Sequence, residues 1–314
     1  MTHDSPTPLD LPDLRGLAEF VAVARLGHVT AAASELDIPQ PTLSRRLARL
    51  EASVGTSLMR RQGRGIVLTR AGRTLAASAQ ATLGELDRVV RGIGADVDEH
   101  GGLVTLAFLH TLGPDAVPRL LGGFARERPH IRFRLVQDGH DAVMRGVRAG
   151  DVDLALTAPL PSAPDVVSSA LQRQRLCLTV PRGHRLAGRR RVPLPSLAEE
   201  TFIGFKPGYG MRQIAEEWCR AAGFRAELAF EGEDIGTVRG LVAAGLGVAL
   251  LPRADRPLPA GLVEVDVHDP SARRTIGMVH LVRPPLSPPA AAFVAFVRRH
   301  GVALLGPTAS RRDP

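Results

Sequence analysis

The chain has 314 residues, 44% of them apolar, which is enough for two or three domains with cores of their own. A formal charge of +8 favours an anionic partner, and two cysteines, Cys177 and Cys219, exclude a disulfide scaffold and fit a reducing cytoplasm. Residues 1–12 are acidic and proline-rich, unlike a signal peptide, and no uncharged apolar stretch reaches the ~18 residues of a membrane span; the expectation is a soluble, cytoplasmic protein with no membrane partner, an N-terminus (1–12) and a tail (306–314) that are disordered, and no metal or cofactor.

The first periodic segment is LRGLAEFVAVARLG, with Leu14, Leu17, Phe20, Val21 and Ala24 on one helical face and a stop near Gly27. A short second helix follows in TAAASELD, where three alanines permit close approach. After the break at Asp37-Ile38-Pro39 comes PTLSRRLARLEASVG. Pro41 suits a first helical turn because it lacks the N–H that a helix start leaves unpaired. Leu43, Leu47, Leu50 and Val54 form the stripe that faces a core, which puts Thr42, Arg45 and Arg49 on the opposite face. Gln40, Thr42 and Ser44 cluster at the N-terminal end, where the second helix of a helix-turn-helix meets base edges. Glutamine pairs bidentately with adenine, and arginine with guanine or phosphate.

Next, LMRRQGRGIVLTRAG places Gly63 and Gly65 in a turn between two extended pieces, displaying Arg60, Arg61 and Arg64. This reads as the wing of a winged helix; a basic hairpin with no role on DNA is the alternative. Residues 40–74 hold eight arginines against Glu51 alone, a net +7 over 35 residues, while residues 1–99 as a whole are neutral. Such a cluster is a phosphate footprint or a solvated face.

Thr69 caps a helix that begins at Arg70 and continues to Glu99 without proline. Ala76, Ala79, Leu83, Leu86, Val90, Ile93 and Val97 alternate spacings of three and four, a heptad seam over about three repeats. At 1.5 Å per residue the helix is ~45 Å long, longer than a small winged-helix core needs. The seam is therefore assigned to self-association, as a dimer or tetramer, in preference to packing on its own domain.

From Gly102 the rhythm becomes strand–helix alternation. LVTLAFL, IRFRLVQ and DVDLALTA read as strands with helices between them. A second unit starts at RLCLTVPRGHRLA and TFIGF and runs through MRQIAEEWCRAAG, AELAFEG, IGTVRGLVAAG and GVALLP, before RTIGMVHLV and a last helix close the chain. Two α/β units with a late return imply two lobes and a cleft. Ligands of open α/β sheets lie beyond the carboxyl ends of strands. That rule selects His110 and Thr111 after the first strand, Gln137 at the end of the second, Thr157 at the end of the third, and Lys206 and Tyr209 in the loop FKPGYGMR. Hydroxyls, helix N-termini and Lys206, the sole lysine, suit a small organic anion. The same loop also reads as a glycine turn with an exposed lysine. Glu231, Glu233 and Asp234 bind an amino group or cap the following helix, capping being preferred. No HExxH, CxxC or Walker loop is present, so no catalysis is expected.

The residues Phe20, Gly27, Thr30, Ala31-Ala32-Ala33, Leu36, Gln40-Pro41, Ser44, Leu50-Glu51, Gly55, Leu58, Arg61, Leu68-Thr69 and Ala71-Gly72, in this order, resemble the LysR-type transcriptional regulators over about 60 residues. His28 and Pro39 stand where that family usually has serine, and Met59 where it has phenylalanine. In the C-terminal part the resemblance rests on GDVDLAL, GHRLA and VAAGLGVALLP. It implies an α/β protein with an N-terminal all-α winged helix-turn-helix at 13–69, a linker helix through which subunits dimerise at 70–99, and a two-lobed effector-binding domain at 101–305 that resembles periplasmic solute-binding proteins. Lobe I is expected over 101–171 and 274–305, and lobe II over 172–273. It further implies contacts to double-stranded DNA from Thr30, Gln40, Pro41, Thr42, Ser44, Arg45, Arg49, Arg61 and Arg64. The competing readings are an α/β solute-binding protein or enzyme, which leaves residues 14–73 without purpose, and a ligand-free architectural DNA-binding protein, which makes the two-lobed domain redundant.

Overall fold

The computed structural model describes residues 12–63, 65–97, 102–254, 257–269 and 272–306. The expectations for the two termini, for Arg64 and for the side chains of Ile93 and Val97 lie outside the described residues. The chain divides into two units, residues 1–90 and 91–314.

The first unit is a winged helix. Helix α1 (Leu14–Leu26) is capped by the Asp13 carboxylate, which accepts from the Arg15 N–H, and ends on Gly27 in the left-handed region at φ 68°. Helix α2 (Val29–Glu35) leads through Asp37, at φ 52°, to α3 (Gln40–Val54), which starts on Pro39 and Pro41 and stops on Gly55 at φ 73°. The apolar stripe does what its period requires. Leu43, Leu47 and Leu50 are buried against Phe20, Val23, Ala32 and Ala33. Val54, the last residue of that stripe, is exposed at the helix end. Strands β1 (Met59–Gln62) and β2 (Gly65–Leu68) pair antiparallel as the wing. Helix α4 (Arg70–Val97) begins where Thr69 Oγ1 accepts the Gly72 N–H at 3.0 Å. An added Cβ on Gly72 stands 1.9 Å from the Leu58 carbonyl oxygen, so only glycine lets this helix lie against the segment before the wing.

The second unit is a mixed α/β domain with two cores. In chain order its elements are β3 (Leu103–Leu109), a short 3₁₀ turn (His110–Leu112), α5 (Ala116–Glu127), β4 (Arg132–Asp138), α6 (His140–Ala149), β5 (Leu154–Thr157), β6 (Val166–Pro181), β7 (Arg191–Val192), β8 (Thr201–Phe205), α7 (Gly210–Ala221), β9 (Glu227–Gly232), α8 (Ile235–Ala243), β10 (Ala249–Pro252), β11 (Leu262–Val267), β12 (Arg273–Leu281) and α9 (Pro288–Leu305). Strands β3, β4 and β5 are parallel, as strand–helix alternation predicts, and β8 pairs parallel with β9. Buried Asp153 fixes the entry of β5 by accepting the Thr105 N–H at 2.7 Å.

The long strand β6 joins the lobes. Val166–Arg175 pair with β12 in the first lobe, and Leu176–Pro181 pair with β10 and β11 in the second. The chain crosses back just before β12. Helices α5 and α9 cover one core, centred on Leu106, Phe124, Leu154 and Phe293; α7 and α8 cover the other, centred on Leu178, Leu197, Trp218 and Val242. The sixteen-residue length of β6 departs from the sequence reading, in which the first half of this strand had no assignment. Polar residues interrupt that half (Ser168, Ser169, Gln172, Arg173, Gln174), and pairing with a partner about 100 residues away supplies what the local pattern lacks.

Candidate DNA-binding surface and effector cleft

The face of α3 opposite its leucines carries exposed Gln40, Pro41, Arg45 and Arg49, with Thr42 and Ser44 half-buried. Arg45, Arg49 and Arg61 have no ion-pair partner among the described residues. Arg46 differs: it turns inward and binds the buried carboxylate of Glu19 on α1. Gln40 donates through Nε2 to Ser44 Oγ at 2.8 Å, so these two side chains brace each other along the helix. Thr30 is exposed at the start of α2, and Arg61 is exposed on β1. The wing is held to α1 by the Ile66 N–H, which donates to the Gly27 carbonyl at 2.8 Å. The expected seam on α4 splits in two. Ala76 packs on the winged-helix core, and Ala79 is buried. Leu83 is half-buried, while Leu86 and Val90 are 44% and 59% exposed.

In the second unit a cleft of about 290 Å³ opens between the lobes. His110, Thr111 and Asp115 line it from the first lobe, Asp234 and Arg239 from the second, and Gln174 and Arg274 from the two strands that cross between them. A smaller recess beside it shares His110, Thr111 and Arg274 and adds Tyr209. The His110 and Tyr209 rings lie 5.8 Å apart.

Arg274 is the unusual group. Its side chain is buried, with the residue 3% exposed. Its Nε donates to Gln174 Oε1 at 2.8 Å and its Nη2 to Thr111 Oγ1 at 3.1 Å. Among the described residues no carboxylate pairs with it, and burial pushes its pKa down to about 10. Other cations of the cleft have carboxylate partners: Arg239 lies 3.4 Å from Glu264, and Arg253 binds Asp266, which it shares with Arg175 at 3.2 Å. Asp234 caps α8 by accepting the Thr237 N–H at 2.9 Å and hydroxyl at 2.6 Å, which settles its role as a cap. Asp115 pairs with Arg119 at 3.0 Å. His110 Nδ1 is buried with no hydrogen-bond partner among the described residues.

Of the six residues selected at strand ends, His110, Thr111 and Tyr209 come together here. The other three do not line the cleft or the recess. Thr157 is fully buried and its hydroxyl contacts His140 Nδ1 at 2.8 Å, because the end of β5 points into the lobe. Gln137 is exposed on β4, an edge strand of the sheet. Lys206 is exposed and reaches Glu233 at 2.6 Å on the surface, a pairing that raises its pKa. The glycine loop turns it outward, away from the cleft lining. Sequence reasoning missed Arg274 because an Arg-Arg pair opening a strand reads as solvated. One signal was present: Arg274, Ile276 and Met278 alternate along β12, and all three are buried.

Both cysteine thiols are buried and pushed up in pKa by that burial, Cys219 to about 11. Among the described residues no group of three or more His, Cys, Asp or Glu side chains is placed to hold a metal ion, and no helix is long and apolar enough to cross a membrane.

A winged helix with an exposed arginine face, in one chain with a two-lobed domain whose cleft holds a buried arginine, is the make-up of a DNA-binding regulator with a ligand-binding domain. Comparison with known proteins gives the family. Residues 14–73 match the model of bacterial regulatory helix-turn-helix proteins of the lysR family, and residues 98–302 match the LysR substrate binding domain. The chain is 37% identical to the HTH-type transcriptional regulator YybE of Bacillus subtilis, covering 90% of this chain and 97% of that one. It is 33% identical to the transcriptional dual regulator GltC of the same organism, covering 91% and 96%. It is also similar to full-length CbnR solved with its target DNA, at TM-score 0.55 and 25% identity over 92% of this chain and 99% of that one. The chain belongs to the LysR family of transcriptional regulators.

Proposed function

We propose that this regulator reads DNA through the outer face of α3 and the wing, and that a small organic anion bound between the lobes sets its activity. In this reading Gln40, Thr42, Ser44, Arg45 and Arg49 lie along the major groove, Thr30 and Pro41 fit against the backbone, and Arg61 and Arg64 contact phosphate. Leu83, Leu86, Val90 and Ile93 pair two subunits as a homodimer, the unit from which a tetramer is built. The protein acts in the cytoplasm and catalyses no reaction.

The observation that carries the effector reading is the buried guanidinium of Arg274, which has no carboxylate partner among the described residues. A buried cation left unbalanced costs stability, and a bound anion offsets that cost in the place where the two lobes meet. A ligand touching both lobes and the crossing strands favours one arrangement of them, and its differential affinity shifts the equilibrium. The test is a thermal-shift screen of organic acids followed by DNA binding in the presence of the hits. A true effector raises the melting temperature of the wild type and changes its affinity for the operator, and Arg274→Met loses both responses. Hits that act equally on Arg274→Met place the site elsewhere.

A further inference from the structure

The two lobes of the second unit meet at the starts of two helices, α6 in the first lobe and α7 in the second. The contact borders the small recess that His110, Tyr209 and Arg274 share. We infer that residues 208–210 of the second lobe are a latch that fastens it to α6 and to the end of β5, and so sets the spacing of the lobes and the size of the recess. Its bearing on effector response rests on reading the inter-lobe cleft as the effector site, but the latch is tested apart from that reading.

Three close approaches make the latch. The Asp141 N–H donates to the Gly208 carbonyl at 3.0 Å. Asp141 lies in the first turn of α6, where an N–H has no partner within the helix, so the second lobe caps a helix of the first. Gly139, the residue before α6, packs on the same carbonyl and on the Tyr209 ring. A Cβ added there stands 3.1 Å from the Gly208 oxygen and 3.3 Å from the ring. Gly210, the first residue of α7, lies against Ala158, which follows β5. A Cβ added to it stands 2.0 Å from the Ala158 carbonyl oxygen. Neither Gly139 nor Gly210 has a positive φ, so any residue could take their backbone conformation. Glycine at these two sites serves the closeness of the lobes.

Each half of the latch is braced within its own lobe. In the second lobe the Lys206 N–H donates to the Gly232 carbonyl at 3.1 Å, Arg212 Nη1 donates to the Phe205 carbonyl at 3.0 Å, and the Tyr209 ring stacks on Phe205. In the first lobe His140 Nδ1 and Thr157 Oγ1 meet at 2.8 Å, which ties the start of α6 to the end of β5. Close-packed elements transmit strain, so a methyl forced between these two surfaces displaces a lobe and not a single side chain. The recess measures about 10 Å³, about the room of one water and too little for an organic anion. The connections between the lobes run through β6 and the segment before β12. A hinge motion about them that widens the recess draws Gly208 off α6.

The test measures lobe spacing in the full-length protein with no ligand added. Arg145→Cys on α6 and Glu217→Cys on α7, both at exposed positions, carry spin labels. Labelled chains are mixed with an excess of unlabelled ones, so that distances within one subunit dominate. Cys177 and Cys219 are buried, which keeps the label on the introduced sites. Gly210→Ala is expected to lengthen the interlobe distance by about 2 Å or more. Gly139→Ala, at the looser contact, is expected to lengthen it less, and it reads the latch even if Gly210→Ala fails to fold. A second pair, Glu199→Cys with Glu217→Cys, lies wholly in the second lobe and is expected to keep its distance. Interlobe distances equal to the wild type's in the folded variants overturn the latch. A change of the same size in the second pair shows distortion of α7 within its lobe and overturns it as well. Either failure leaves the effector site to the organic-acid screen, and a failed screen leaves the latch standing.

Discussion

Glu51 Oε1 accepts the backbone N–H of Leu58 at 2.7 Å and that of Met59 at 3.1 Å. The one acid among the arginines of residues 40–74 is thus a splice between α3 and the first strand of the wing, and it does not neutralise the basic face. Two partly buried donors depend on it. Glu51→Ala leaves both unpaired and is expected to cost about 2–4 kcal/mol, while Glu51→Gln keeps an acceptor and costs less than half of that. Urea denaturation of the two variants checks the order; equal losses mean that charge, not the acceptor, is what the site needs.

Gly72 gives a prediction whose sign separates two effects. Inside a helix, Gly→Ala ordinarily stabilises by about 0.5–1 kcal/mol. Here the new methyl stands 1.9 Å from the Leu58 oxygen. Gly72→Ala is therefore expected to destabilise by roughly 1–3 kcal/mol or more, as overpacking does. A melting temperature equal to or above the wild type's would show that α4 does not pack against Leu58 as closely as the structure has it.

These two contacts also mark what the sequence makes legible. The winged helix could be read because its signals are local: Leu43, Leu47 and Leu50 repeat at helical spacing, and Gly27 and Gly55 end helices at positive φ. The two lobes were readable from strand–helix alternation. The floor of the cleft was not. It is made by Thr111, Gln174 and Arg274, which lie 100 and 163 positions apart, and no local pattern joins them. Lys206 was selected for its loop, yet the direction of a loop side chain depends on its neighbour in space, here Glu233. Ala76 fits a heptad position and also packs on the winged-helix core, a contact that the spacing alone does not reveal.

The exposed arginines of α3 and β1 are expected to divide by what they touch on DNA. Arg61→Ala is expected to weaken specific and nonspecific DNA alike and to reduce the slope of log K against log salt by about one. Arg45→Ala is expected to cost about 1–3 kcal/mol mainly at the true operator. Gln40 is braced on Ser44, so Gln40→Ala and Ser44→Ala are expected to be non-additive in DNA affinity. Salt titrations with operator and random duplex measure all three. A strictly additive double variant would mean that each side chain meets DNA independently.

Leu86 and Val90 leave large apolar side chains in water on α4. Leu86→Asp with Val90→Asp is expected to preserve the fold of the first unit, since neither side chain is buried there, while weakening self-association. Sedimentation shows this as a shift to smaller species whose circular dichroism matches the wild type. An unchanged oligomer would assign assembly to another surface.

Arg274 yields a stability prediction that needs no ligand. Burial pushes its pKa below the usual guanidinium range to about 10, so the unfolded chain binds its proton more tightly than the folded one. For a base with a depressed folded pKa, the penalty is fully present below pH 10 and is relieved as pH rises above it towards the ordinary guanidinium pKa. Its size is on the order of 3 kcal/mol and constant across physiological pH. Arg274→Met removes that penalty but strands the Gln174 and Thr111 acceptors, which costs about 1–3 kcal/mol each at most. The two effects oppose each other, so the ligand-free variant is expected to melt within a few degrees of the wild type, with a difference that does not change between pH 6 and 9. A large destabilisation would mean that Arg274 is a structural strut with a hidden counter-charge. Near-neutral stability together with a lost ligand response identifies a buried charge whose partner arrives from solution.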